Sequence, residues 1–163
     1  MESTNLSLEK NFYINIIEEA YYRKAWHGPN LHSSLKGVTA KAALIRPAEE
    51  RHNIYEITAH AAYWVYRVIK RIRKDSIMKF PIKGTNWYES PDILTEAEWR
   101  KLKNLLNAFH DELYKLIKEL NKKEFRGKPE KEKRIIRRLV VGIVMHDVYH
   151  AGQIQLIKKL IKI

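Results

Sequence analysis

The stretch VMHDVYHAGQIQ, residues 144–155, lies late in the last long segment of helical apolar periodicity, and the fold can be worked out from it. His146 and His150 are four residues apart, so on a helix their imidazoles lie on one face, about one turn from each other. Such a pair fits two structures equally well: two ligands of one metal ion, or a buried, hydrogen-bonded pair. Because two imidazoles rarely hold a divalent ion, the metal interpretation requires a third ligand from another helix.

The composition limits the chemistry that the chain itself can supply. With 163 residues it is expected to form a single domain, 1–163, with a substantial core. The absence of cysteine excludes disulfides, cysteine-rich zinc sites and thiol nucleophiles of the chain's own. No signal-peptide pattern or apolar run near the ~20 residues of a membrane span is found, so a cytoplasmic location is expected.

The formal charge of +12 raises the possibility of a nucleic-acid partner. However, basic residues recur at helical spacing between apolar ones along most of the chain, which is typical of solvated helix faces. The densest run is Lys131-Glu132-Lys133-Arg134 with Arg137 and Arg138. No aromatic residues interleave there to stack on bases, so nucleic acid is a possible but not a favoured partner.

The first half of the chain predicts one long helix and an irregular connector. Asn5 or Ser7 can cap the first helix, which is expected to end near residues 26–29, where Gly and Pro follow Trp26. Between residues 30 and 51 the helical patterns extend over only a few residues each. One or two helical turns at 31–35 and a short Ala-rich helix capped by Thr39 are expected there.

Three further long helices are predicted. They cover about 53–78, a segment starting with a capping box formed by Thr95 and Glu98, and about 130–161. The loop at 79–91 is long for a bundle connection and is predicted to cover a site. Four long helices without strand alternation predict an all-α four-helix bundle with a longer connection between helices 1 and 2.

His60 lies within the apolar face of the second long helix, which makes it the natural third ligand for His146 and His150. Three neutral imidazoles leave a coordination position open, where a metal could activate a bound water, thiol or oxygen. The spacing is also similar to the H-E-x-x-H helix of zinc proteases, with Asp147 in place of the glutamate. Aspartate is shorter, so Asp147 is assigned instead to supporting a ligand or to an ion pair.

Several segments together resemble the DinB-like (DinB/YfiT-like) superfamily of metal-binding helical bundles: WHGPNL at 26–31, GVT at 37–39, RP at 46–47, HNIYE at 52–56 through His60, and HDVYHAGQ at 146–153. The resemblance implies an up-down-down-up bundle in which His60, His146 and His150 bind zinc, nickel or a similar ion. It also implies a homodimer. Relatives include bacillithiol-dependent S-transferases, a mycothiol-dependent maleylpyruvate isomerase and metal-dependent hydrolases, so the resemblance implies thiol or hydrolytic chemistry.

Other residues are candidates for supporting the ligands or lining a pocket: Asp147, Gln153, Tyr63, Trp64, Tyr149, Trp26 and His27. Core packing is the alternative for these aromatic residues, and capping is the alternative for His27. Arg46, Arg67 and Arg138 are candidate contacts for an anionic substrate, whereas His32, His52 and His110 are assigned to structural or surface positions.

Three functions are consistent with this sequence. The leading hypothesis is a metal-dependent enzyme, most similar to a thiol S-transferase, with a hydrolase as the alternative. The second is a non-catalytic protein that binds a metal or ligand. The third is a basic protein associated with DNA damage or stress. In the first case a small-molecule substrate, with a low-molecular-weight thiol as cosubstrate, and zinc or nickel are expected.

Overall fold

The structure is a computed structural model that describes residues 2–84, 86–120 and 130–163. All six elements in these ranges are α-helices, and no strand is found in them. The helices are α1 (Glu2–Tyr21), α2 (Leu31–Ser34), α3 (Ala40–Leu44), α4 (Ile54–Arg73), α5 (Glu96–Glu119) and α6 (Glu130–Leu160). The prediction of an all-α protein is confirmed. None of the described helices is long and apolar enough to cross a membrane.

Helix α1 departs from the sequence prediction at both ends. It begins at Glu2, so Asn5 and Ser7 lie within the helix and not at its first position. It ends at Tyr21, before the expected Gly-Pro break. Just after this end, the Asn30 side-chain amide donates a hydrogen bond to the carbonyl oxygen of Arg23 (2.7 Å) and so holds the chain in a turn.

Helix α4 begins where the sequence predicted and ends earlier. The Asn53 side chain accepts the backbone N–H of Glu56 (2.9 Å) and caps the first turn. Lys74 adopts the left-handed conformation with φ 56°, so the helix ends at Arg73, five residues before Met78. Met78 is held from outside the helix, because the Tyr66 hydroxyl donates to its carbonyl oxygen (2.7 Å).

Caps read from the sequence are found in the other helices. Thr39 accepts the backbone N–H of Ala42 (3.2 Å) at the start of α3. Thr95 and Glu98 form the predicted capping box at the start of α5. The short helix α3 and its cap lie beside α5, and the Trp99 indole donates to a backbone carbonyl just before Thr39 (2.8 Å).

The four long helices pack around one apolar core. Helix α1 contacts α5 and α6, and α4 contacts the same two helices. The Lys10 ammonium donates to the carbonyl oxygen of Leu120 (2.6 Å), and the Tyr21 hydroxyl donates to Asn107 (2.5 Å). The largest fully buried side chains are Trp99, Tyr21, Ile17, Leu31, Ile54, Ile57, Ile69, Leu106, Leu113, Ile117 and Ile154.

Candidate metal centre

Helices α4 and α6 bring three histidines together. His60 comes from α4, and His146 and His150 come from successive turns of α6. One ring nitrogen from each lies within 4.8 Å of the other two. The Nε2 atom of His146 is 3.1 Å from the Nε2 atoms of both His60 and His150. The structure therefore places the three predicted ligands around one point.

The outer nitrogens of two rings are held by hydrogen bonds that fix their protons. The Nδ1–H of His60 donates to the backbone carbonyl of Asn86 (2.9 Å), and a carbonyl can only accept. The Gln153 amide nitrogen donates to the Tyr149 hydroxyl (3.1 Å), which leaves its oxygen to accept the Nδ1–H of His150 (2.7 Å). In both rings Nε2 is thus the unprotonated nitrogen, as a metal ligand must be.

Burial keeps these imidazoles neutral. His60 is 5% and His150 2% exposed, while His146 is partly buried. Burial, aided by the neighbouring histidines, lowers the pKa of His146 to about 3. Burial likewise lowers the pKa of His150 to about 4, although its hydrogen bond to Gln153 acts in the opposite direction. At neutral pH the lone pairs are available for coordination.

The arrangement fits a divalent cation better than a hydrogen-bonded cluster. His60 and His150 both direct lone pairs towards His146, whose Nε2 can carry one proton and so can satisfy only one of them. The remaining contact would set two lone pairs 3.1 Å apart in a largely buried site. A cation would satisfy all three nitrogens, and three imidazoles suit zinc, nickel, copper or cobalt.

A stack of rings supports His60. The Trp87 indole lies between His60 and His52, with ring centroids 3.7 Å from each and interplanar angles of 7° and 4°. The Nδ1 atom of His52 is 2.8 Å from a carboxylate oxygen of Glu56, which also pairs with Arg46. This row of side chains ties the ligand on α4 to the loop at 74–95.

The charge at the end of this row is compensated. Burial raises the pKa of Glu56, but its hydrogen bonds with Arg46 and His52 outweigh that effect and lower the pKa below its usual value. Arg46 therefore forms a structural ion pair with a buried carboxylate, so the structure does not place it as an anion contact at the site.

Three residues that support the histidines were not predicted from the sequence: Asn86, Trp87 and Glu56. The only signal for the first two was the length of their loop, which was predicted to cover a site. Glu56 was visible as an acidic residue on the apolar side of α4, one turn before His60. His52, assigned to the structural or surface group, is structural in a specific sense because it stacks on the Trp87 indole.

A cavity of about 1370 Å³ adjoins the histidines between α4, α6 and the loop at 74–95. His146 lines it, whereas His60 and His150 do not. The predicted pocket residues Tyr63 and Trp64 line it too, as do Arg67 and Arg138. Two other predicted residues act beside the ligands: Gln153 holds His150, and Tyr149 contacts Gln153 without lining the cavity.

Three other candidates are not brought to the metal centre or the cavity. Trp26 is 94% exposed and contacts the ring of the exposed His27, and neither lines the cavity. Asp147 follows His146 by one residue, about 100° around the helix, and so faces the core. Its carboxylate lies 3.6 Å from the Nε2 atom of His110, which is fully buried.

Burial acts on both members of the Asp147–His110 pair. It raises the pKa of Asp147 and lowers that of His110, so it favours the neutral form of each group. The Tyr21 ring stacks on the His110 imidazole with centroids 3.5 Å apart. His110 is thus a core residue, and Asp147 is placed to support the packing of α6 against α1 and α5.

Comparison with known proteins agrees with the motifs at the site. The family model of the DinB superfamily matches residues 23–154, a range that includes all three histidines, Trp87 and Gln153. No curated protein and no solved structure matches the chain. Since the family model covers most of the sequence, the chain belongs to the DinB superfamily.

Proposed function

We propose that this protein is a metal-dependent enzyme whose divalent ion, zinc or nickel, is held by His60, His146 and His150. The observation that carries the proposal is the convergence of three Nε2 atoms, two of them 3.1 Å from the third, with the outer nitrogens of two rings fixed by hydrogen bonds. Three protein ligands leave a coordination position open for a substrate or water, as is typical of catalytic sites.

The reaction that we propose is transfer of a thiol sulfur to an electrophilic carbon. A bound divalent ion would lower the pKa of a coordinated thiol, and the thiolate is the reactive form. The chain contains no cysteine, so the thiol must be a cosubstrate. His146, which lines the cavity, is the ligand nearest to the incoming molecules, while the Trp87 indole shields His60 from solvent.

Metal content tests the base of the proposal. Purified protein loaded with zinc or nickel should retain about one ion per chain, measured by inductively coupled plasma mass spectrometry. His60→Ala and His146→Ala should lose it, whereas His27→Ala, at an exposed position away from the cluster, should retain it. If both cluster variants keep the metal content of the wild type, the assignment of the site is wrong.

Turnover tests the reaction. A low-molecular-weight thiol and 1-chloro-2,4-dinitrobenzene should form a thioether and chloride, with the thiol proton released to solvent, only when metal is loaded. Activity towards esters or amides without a thiol would instead indicate a hydrolase, in which water is the nucleophile. Metal binding without turnover in either assay would indicate a binding protein.

We further propose that the four long helices form an up-down-down-up bundle within a single domain. Lys10 of α1 contacts the end of α5 and Tyr21 its middle, which supports antiparallel α1 and α5. Tyr66 of α4 packs on Phe109 and Arg73 pairs with Glu112, which supports parallel α4 and α5.

The direction of α6 follows from two more sets of contacts. Glu9 pairs with Arg137 (2.7 Å), and the later Tyr21 faces Asp147, which supports parallel α1 and α6. His60 meets His150, whereas the Trp64 ring packs near His146, which supports antiparallel α4 and α6.

We propose that the protein is a homodimer. An exposed apolar stripe runs along α6 at intervals of three or four residues, broken only by Gly152, and helices with such a face commonly pack against a partner. The stripe consists of Val141, Met145, Tyr149, Leu156 and Leu160. Light scattering should give about twice the chain mass of 19.4 kDa. A mass near that of one chain would exclude the dimer.

A further inference from the structure

The cavity beside His146 combines an apolar floor with a basic rim. Its floor contains buried side chains, among them Tyr66, Tyr88 and Ile143. Six cationic side chains also line it, and none of the described residues that line it is acidic. The cationic residues are Arg67, Lys70, Arg71, Lys79, Lys83 and Arg138. The surface is therefore suited to a molecule with a flat apolar part and a negative charge.

Two of these cations are held by neutral groups. Arg67 donates to the Tyr63 hydroxyl (2.7 Å), and Lys70 donates to the carbonyl oxygen of Met78 (2.6 Å). The other four, Arg71, Lys79, Lys83 and Arg138, have no carboxylate within ion-pair distance in the described part of the chain. Within the described residues, no carboxylate therefore pairs with the charge of these four side chains.

The general basicity of the chain does not account for this surface. The chain has 31 basic and 19 acidic residues, so a lining that contains six basic side chains and no acidic one is more one-sided than the whole. A solvated helix face would also lack the aromatic floor. The cavity differs from the rest of the basic surface because charge and concave apolar area occur together.

A glycine borders open space in the cavity. Gly142 lines it from the middle of α6, and a Cβ atom built at this position has no neighbour within 4 Å. Glycine in a helix interior is destabilising relative to alanine, and nothing in the packing requires it here. The free space over this turn lies one turn before His146.

We propose that this cavity binds an anionic substrate: a molecule with a flat, apolar ring system and a carboxylate, sulfonate or phosphate group. The ring system lies on the aromatic floor, the anion contacts Arg71 and Arg138, and the remainder of the molecule extends towards the metal at His146. The inference rests on the proposed function, since it names the substrate class of the same site.

Metal-free protein provides the test, because a carboxylate could otherwise bind the metal. Isothermal titration calorimetry at low salt should show 2-naphthoate binding about tenfold more tightly than the neutral 2-naphthamide. The double variant Arg71→Gln/Arg138→Gln should lose this preference. The control Arg100→Gln/Lys115→Gln removes the same charge from exposed positions outside the cavity and should keep it.

A second variant separates binding in the cavity from attraction to the charged surface. Gly142→Leu fills the space over α6 without changing charge, and should weaken 2-naphthoate binding more than tenfold while the helix content stays that of the wild type. Equal binding of the two naphthalene probes would overturn the proposal. Unchanged binding by Gly142→Leu, or an equal loss in the charge-matched control, would do the same.

The two proposals fail separately. Selective 2-naphthoate binding without metal retention would support the cavity and refute the metal enzyme. Metal retention without that selectivity would refute only the cavity. Displacement of 2-naphthoate by an equimolar single-stranded oligonucleotide would assign the basic rim to nucleic acid and would also overturn the inference.

Discussion

Gln153 is the side chain at the metal centre whose removal gives the sharpest result. Its amide oxygen accepts the Nδ1–H of His150 at 2.7 Å, and His150 is only 2% exposed. In Gln153→Ala the proton can move to Nε2, where the metal would bind. Metal coordination must then return the proton to the Nδ1 atom of His150, which has no acceptor in this variant. A buried N–H donor without an acceptor costs about 1–3 kcal/mol.

We therefore expect zinc affinity to fall about 10–100-fold, the usual effect of removing a partner of a metal-bound histidine. This range corresponds to roughly 1.4–2.7 kcal/mol. At free zinc one hundred times the wild-type dissociation constant, the stabilisation by metal should drop from about 2.7 to roughly 0.4–1.4 kcal/mol. Gln153→Glu should act in the opposite direction, because a carboxylate makes the imidazole a stronger ligand.

Competition with a chromogenic zinc chelator at pH 7 measures the affinity, and thermal unfolding with and without zinc measures the stabilisation. Gln155→Ala is the matched control, since it removes the same side chain two residues further along α6, on another face. The reasoning is refuted if Gln153→Ala binds zinc within twofold of the wild type. It is equally refuted if Gln155→Ala loses as much affinity.

Three further outcomes concern stability, measured by denaturant unfolding. Glu56→Gln should cost about 1.5–3 kcal/mol at neutral pH, because it breaks charged hydrogen bonds with Arg46 and His52. Folding lowers the pKa of Glu56, so this contribution to stability is present above pH 4.5, the ordinary pKa. It is lost as the pH falls through the pKa of the folded state. The free energies of unfolding of the variant and the wild type should therefore become equal in acid. Thr95→Ala should cost about 1 kcal/mol, since it removes the capping box of α5, and an unchanged midpoint would contradict this. Leu113→Ala, in the core of α5, should cost about 2–5 kcal/mol, and a loss below 1 kcal/mol would contradict the packing described.

The grouping of the three histidines was largely predictable because helical spacing is a local property. His146 and His150 share a face by their separation alone, and His60 stands out because it interrupts an otherwise apolar stripe. The caps at Thr39 and Thr95 were readable for the same reason, since a cap depends on residues within one turn.

The rest of the site depends on contacts between distant residues. The position of the Trp87 indole between His60 and His52 follows from the path of an irregular loop, for which the sequence has no periodicity. The side on which Asp147 faces required the positions of α1 and α5. Trp26 belongs to a segment that resembles the family, but its side chain is exposed to solvent. Membership of that segment therefore did not predict a position at the site.

The hydrogen bond from His60 to the backbone carbonyl of Asn86 limits which mutations the loop can tolerate. The acceptor is a peptide carbonyl, which every amino acid supplies, and the Asn86 side-chain oxygen is itself buried without a hydrogen-bond partner in the described structure. Position 86 should therefore tolerate substitution by other amino acids. The length of the loop is constrained, because deleting one residue between α4 and α5 shifts the chain by roughly 3 Å. Such a shift would move the carbonyl of residue 86 away from the His60 imidazole. Natural variation in this loop should thus appear as substitutions rather than as insertions or deletions.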